Sequence, residues 1–134
     1  MSLFQIFSIS GSAASAQTQR LNAVASNLAN ADALATADGQ SYKARQVLFQ
    51  TVNLGDSLSS GVQVSGVQED NSPARRVLSP GHPSADAQGY VTYSNVNPVE
   101  EMVNMMSASR SYQNNIEVMN TAKNLLLKTL SLGQ

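Results

Sequence analysis

Apolar positions recur with helical spacing at both ends of this chain and lose that spacing in the middle. Near the start, Phe4, Phe7, Gly11, Ala14, Thr18, Leu21, Ala25 and Leu28 alternate steps of three and four; near the end, Met102, Met105, Ser109, Tyr112, Ile116, Met119, Lys123, Leu126 and Leu130 do the same. Each series is a heptad seam. The pattern predicts an N-terminal helix over residues 3–31, a C-terminal helix over 98–131, and a joint with a β-rich insertion over 32–97, all within one unit spanning 1–134. A seam buries nothing until another helix packs on it, and the simplest partner for each end is the other end. The predicted fold is therefore α+β and mainly α: long terminal helices pairing as a coiled-coil-like unit around a small, partly mobile β-rich insertion. The residues expected to carry helix association are Phe7, Ala14, Leu21, Ala25, Leu28, Met105, Tyr112, Ile116, Met119, Leu126 and Leu130.

Local signals sharpen some boundaries. Asn97 is a good N-cap, Pro98 suits the first helical position, and Glu100 stands where a capping box places its acid. Glu100 and Glu101 lie near the positive end of that helix's dipole, Lys123 and Lys128 near the negative end, and Gly133 follows as a stop. The N-terminal helix is intrinsically weak, because Gly11 and its many serines lower propensity, yet Gly11, Ala14 and Ala25 would let a neighbouring helix come close. In the insertion, Tyr42–Val52 reads as a strand and Val62, Val64 and Val67 as another, with Gly61 and Gly66 allowing a turn and a bulge. Arg75–Leu78 and Gly89–Tyr93 are two shorter candidates; Asp32–Ser41 reads as a flexible joint, and Asp70–Pro73 and Ser79–Pro83 as turns.

Composition narrows the function classes. Charged residues make up 13% of the chain, about half the usual quarter for soluble proteins, and uncharged polar residues replace them. Such a surface can be buried against copies of itself without desolvating many ions. A net charge of −1 gives no electrostatic reason to expect nucleic acid. With no cysteine in the sequence, disulfides and thiolate metal sites are excluded. No run of about 18 to 20 apolar residues suggests a membrane span, and residues 3–9 lack the form of a cleavable signal peptide. His82 is the sole histidine; with Asp86 it supplies two metal ligands, which do not make a site. No nucleophile elbow or phosphate-binding glycine loop is present. Catalysis, cofactors and a small-molecule substrate are not expected. Met102, Met105, Met106 and Met119 on or beside the seam read as packing that is partly between subunits.

A family resemblance rests on several segments together. Ala25-Ser26-Asn27-Leu28-Ala29-Asn30-Ala31 contains the motif Asn27, Leu28, Ala29, Asn30 and resembles the N-terminal signature of the bacterial flagellar axial proteins, the rod, hook and hook-associated family. Met1–Phe7, the tract Pro80-Gly81-His82-Pro83 with Ala85-Asp86 and Gly89-Tyr90-Val91, and Asn95–Met102 are similar to its proximal rod members. Arg110, Tyr112, Asn120–Lys123 and Leu127–Leu130 extend the likeness. The resemblance implies a structural subunit of the basal-body rod, exported by the flagellar type III apparatus and assembled helically in the periplasm with copies of itself and other rod proteins. It also implies that the paired helices form an inner layer around the export channel. Stiffness for torque and easy unfolding for export are both met by helices that are weak alone and firm when packed. An autonomous coiled-coil regulatory or chaperone-like protein is the alternative, and it would need no likeness in the loop before the last helix.

Overall fold

A reciprocal cap opens the first helix, α1 (Leu3–Ala29). Ser2 Oγ accepts from the Gln5 N–H at 3.2 Å, and the Ser2 N–H donates to Gln5 Oε1 at 2.7 Å. The capping box thus forms here, where no acid marks it, because glutamine can close the box as glutamate does. The computed structural model describes residues 2–56 and 58–134, with the backbone alone at Asp56; Met1 of the opening motif and Ser57 of the insertion lie outside the described residues. At the far end of α1 the Asn30 N–H bonds the carbonyls of Ser26 and Asn27, and Asn30 Nδ2 donates to Ser26 O at 2.8 Å. That seal ends the helix two residues before the predicted boundary.

The second helix, α2 (Pro98–Leu132), begins as expected. Asn97 Oδ1 accepts from the N–H groups of Val99 and Glu100 at 3.1 and 3.5 Å. Glu100 contributes its backbone N–H and a charge favourable to the dipole, but its carboxylate does not reach back to the Asn97 N–H, so the expected capping box is left half made,. The two helices run antiparallel. Leu3, Phe4 and Phe7 of α1 surround one crevice with Ala122, Lys123 and Leu126 of α2, a Cβ built on Gly11 would lie 3.9 Å from Met119 Cε, and Val24 shares a crevice with Glu101 and Asn104. Since α1 starts opposite Leu126, the final six residues of α2 overhang it by about 9 Å at the helical rise.

Between the helices lie two antiparallel hairpins. The larger pairs β1 (Arg45–Asp56) with β2 (Ser59–Glu69), from Arg45 opposite Glu69 to Asn53 opposite Ser60. Leu48 faces Gly66 and Phe49 faces Val64, so Ser65 is the extra residue of a bulge beside Gly66,. Gly61 marks no turn; it allows a close approach of β2 to α1. The strand predicted from Tyr42 starts three residues later, because Tyr42 packs on a small core of Ala31, Ala44 and Val96. The smaller hairpin pairs β3 (Arg76–Leu78) with β4 (Tyr90–Thr92). The stretch read as a flexible joint is tied to it: Leu34 bridges Tyr93, and the Ala35 N–H donates to Thr92 O at 2.9 Å.

Candidate assembly interface

The seam between α1 and α2 combines half-buried larger side chains with fully buried small ones, Ser10, Ala14, Ala108 and Ala122 among them, and this decides where the predicted stripes fall. On α1, Ala14 is buried and Leu21 and Leu28 are half-buried; on α2, Met105, Tyr112, Ile116, Met119 and Leu126 are half-buried. These residues belong to the pair's inner face. At the alternate levels the more buried residue is one position earlier than the sequence pattern suggests. Ser10, Gln17 and Val24 turn inward more than Gly11, Thr18 and Ala25; Glu101, Ala108 and Ala122 do so more than Met102, Ser109 and Lys123. Ala108, at 0% exposure, sits at the centre of the α2 face. The physical reason is that close helix packing prefers alanine and serine to larger chains, whereas a search for apolarity fastens on the larger neighbour. Of the residues expected to carry association, Phe7, Ala25 and Leu130 stay exposed in the isolated subunit, Leu130 at 59% because it lies in the overhang.

A second face of α1 carries the large hairpin. Ser12 lies on this side, its Oγ donating to Ile9 O at 2.7 Å while accepting from the Val62 N–H at 3.1 Å. The helix is therefore packed on two sides, against α2 and against both strands of the hairpin. This explains why its covered arc is wider than a two-helix seam.

The motif Asn27, Leu28, Ala29, Asn30 has a structural role at the waist of the molecule. Asn27 is 1% exposed. Its Oδ1 accepts from the Arg45 N–H at 2.9 Å and from Tyr42 Oη at 3.0 Å, and its Nδ2 donates to Arg45 O at 2.9 Å. One amide thus occupies both backbone groups of Arg45 and fastens the end of α1 to the start of β1. Desolvation at this packed spot raises the Tyr42 pKa, with the nearby Arg45 charge opposing and Glu101 and Glu69 adding to the rise. Asn30 supplies the cap, Leu28 packs inward, and Ala29 is exposed.

Sequence reasoning missed the partner of this junction. Asn95 Oδ1 accepts from the Ala44 N–H at 2.7 Å, and its Nδ2 donates to Asp70 O and Ser72 O at 2.9 and 3.0 Å. Ser94, fully buried, donates to Ala31 O at 2.7 Å. The run of Ser94, Asn95 and Asn97 before α2 was a usable signal, since amide and hydroxyl side chains replace backbone partners where chain segments converge. In the neighbouring loop His82 Nδ1 accepts from the Ser84 N–H at 3.0 Å, while Asp86 accepts from the N–H groups of Tyr90 and Gln88 and from Arg76. The two residues considered as metal ligands are thus engaged in shaping the loop.

Two terminal helices folded back on each other, an asparagine-tied waist and a β insertion standing outside the pair define a rod-type axial subunit. The family model described as "Flagella basal body rod protein" matches residues 7–33, and "Flagellar basal body rod FlgEFG protein C-terminal" matches residues 87–132. Over its whole length and theirs, the chain is 56% identical to the flagellar basal-body rod protein FlgC of Escherichia coli O157:H7 and to that of Salmonella typhimurium. It is 46% identical to FlgC of Buchnera aphidicola subsp. Schizaphis graminum, again over both full lengths. The chain belongs to the FlgC family of flagellar basal-body rod proteins. Its place is the rod of the basal body, and that membership favours a structural subunit over a self-contained regulatory coiled coil.

Proposed function

We propose that this chain builds the proximal rod by lateral and axial packing of its helix pair, after export through the flagellar type III apparatus, and that the rod transmits torque from motor to hook. The observation that carries this reading is the pairing of the two terminal helices through a seam whose most buried residues are mainly small, with several large apolar side chains left on the outside. Phe7, Ala25 and Leu130 serve contacts between subunits. Ala14, Leu21, Leu28, Met105, Tyr112, Ile116, Met119 and Leu126 serve them indirectly, by holding the pair in the shape that neighbours recognise. Alanine and serine bury little apolar area, so the pair gains modest stability alone and more when its outer face is covered. A chain of that kind threads through an export channel readily and stiffens on arrival.

Leu126→Asp and Leu130→Asp in motile cells test the reading, with secretion measured separately from incorporation. An aspartate at Leu126 places a carboxylate against Leu3, Phe4 and Phe7, a penalty of about 2 kcal/mol or more in every subunit. The expected outcome is normal secretion with truncated rods and lost motility. Complete rods and full motility with both variants would overturn it. Deleting residues 2–19 should in turn abolish export, and arrival of the truncated chain in the basal body would place the export signal elsewhere.

A further inference from the structure

Exposed large apolar residues on the helix pair gather at its two ends, with Val118 the one between them among the described residues. At the waist end of α2, Val99, Met102, Val103 and Met106 follow the i, i+3, i+4, i+7 pattern on the face opposite Glu101, Met105 and Ala108, and all four are exposed,. At the other end Phe4, Leu127, Leu130 and Leu132 are exposed, most of them on the overhang. The outer surface between is polar apart from Val118: Ser107, Arg110, Gln113, Asn114 and Glu117 on α2, and Ser15, Thr18, Gln19 and Asn22 on α1.

Charge divides the same way. The waist-end stripe lies beside the exposed Glu100 at a helix N-terminus, and the far end carries the exposed Lys123 and Lys128. Pairing either patch with its own copy in a closed two-fold dimer would set like charges together, Glu100 against Glu100 or lysine against lysine,. Complementary patches at opposite ends make heterologous contacts, which propagate along a line.

We propose that the stripe of Val99, Met102, Val103 and Met106 with Glu100 docks the apolar, lysine-bearing helix end of the next rod subunit, the chemistry this chain carries at its own far end. The inference rests on the rod-subunit reading and adds its polarity: the waist end of one subunit receives the terminal end of its neighbour. Apolar burial supplies the attraction and the charges set direction, since the reverse pairing would bring lysine against lysine or glutamate against glutamate.

A photoreactive p-benzoylphenylalanine replacing Met102 in the full chain tests this, with irradiation of assembled basal bodies and identification of the cross-linked peptide by mass spectrometry. The expected product joins Met102's position to a C-terminal helix end containing leucine and lysine from a neighbouring rod subunit. Cross-links to the middle of a helix or to lipid, or none in basal bodies that contain the variant, would overturn the proposal. If even the unmodified chain is absent from basal bodies, the rod-subunit reading itself fails, a distinct outcome. As a second measurement, Met102→Ser with Met106→Ser should lower incorporation by about tenfold at unchanged secretion, while Gln113→Ala should leave it unchanged. Equal incorporation of the two variants would also overturn the proposal.

Discussion

Replacing Gly61 by alanine probes the contact that sets the large hairpin on α1. A Cβ built at Gly61 lies 2.7 Å from Ser12 Oγ and 3.0 Å from Leu54 Cδ1, well inside the 3.4 Å at which ordinary contact begins. Leu54 ends in a flexible, partly exposed chain and can turn aside. Ser12 cannot do so freely, because its hydroxyl is held between Ile9 O and the Val62 N–H. Either the hydroxyl leaves and strands the Val62 N–H, or the strand shifts off the helix. Each route costs about 1 to 3 kcal/mol, against a gain of about 0.5 to 1 kcal/mol from removing a strand glycine. The net loss falls between about 0 and 2.5 kcal/mol and centres near 1 kcal/mol. Urea unfolding followed by circular dichroism, run as a double-mutant cycle with Ser12→Ala, separates the causes. Ser12→Ala alone should cost about 1 kcal/mol through the lost hydrogen bond. Gly61→Ala should then be nearly neutral in that background, because the atom it strikes is gone. Additive losses, or a neutral Gly61→Ala in the natural chain, would refute the claim that this contact positions the hairpin.

Three further substitutions address other parts of the structure. Asn95→Ala removes one acceptor and two donor bonds from the backbone of Ala44, Asp70 and Ser72 and should lower unfolding stability by about 2 kcal/mol; a loss under half that would show that water replaces the amide. Gly11→Ala places a methyl group at ordinary contact distance from Met119 and should raise stability by about 0.5 to 1 kcal/mol through helix propensity, so a measured loss would mean that the pair packs closer here than described. The Asp86 carboxyl is held below its ordinary pKa of 3.8, chiefly by the Tyr90 N–H and also by Arg76 and the Gln88 N–H. Its contribution is therefore present above that ordinary value and lost as pH falls through the lowered one. Asp86→Asn should flatten the acid side of the stability profile of the β3–β4 loop, measured by amide exchange; an unchanged acid slope would show that these bonds carry no net preference for the charged form.

The broad plan of this protein was legible in its sequence because helices write their period directly into apolar spacing. Pro98 after Asn97 marked the start of α2 to the residue, since a fixed φ and a missing N–H suit only that place. The seam was legible in half its levels. At Ala14, Leu21, Met105, Met119 and Leu126 an inward position carries a side chain of the expected kind, whereas at Ser10, Gln17, Ala108 and Ala122 the inward residue is small or polar and its neighbour looks the better candidate. The hairpins were legible as strands through their valines, but Tyr42 was assigned to a strand although it packs inward on the waist. That error has a physical origin. The waist core consists of Ala31, Ala44, Val96 and part of Tyr42, too little apolar material to leave a periodic trace, and amide side chains that bond to backbone far away in sequence leave none.

Those amides, together with the Ser12 hydroxyl, also explain how the insertion is fastened to the helix pair. The attachments run through Ser12 to the Val62 N–H, through Asn27 to both backbone groups of Arg45, and through Asn95 to Ala44, Asp70 and Ser72. In each case the helix side, or the segment leading into it, supplies a side chain and the insertion supplies backbone. Of the insertion's own residues, Tyr42 adds its hydroxyl to the Asn27 tie and packs on the waist core, and Gly61 permits the approach by its missing Cβ; the outward strand side chains carry none of these attachments. Strand residues on the outer surface, Leu48 and Val67 among them, can then be chosen for contacts beyond the subunit without moving the hairpin. A rod subunit needs that separation. The helix pair and its ties to the insertion's backbone fix the subunit's shape, while the outward strand side chains take no part in those ties, so the two demands, fixed shape and outer contact, fall on different groups.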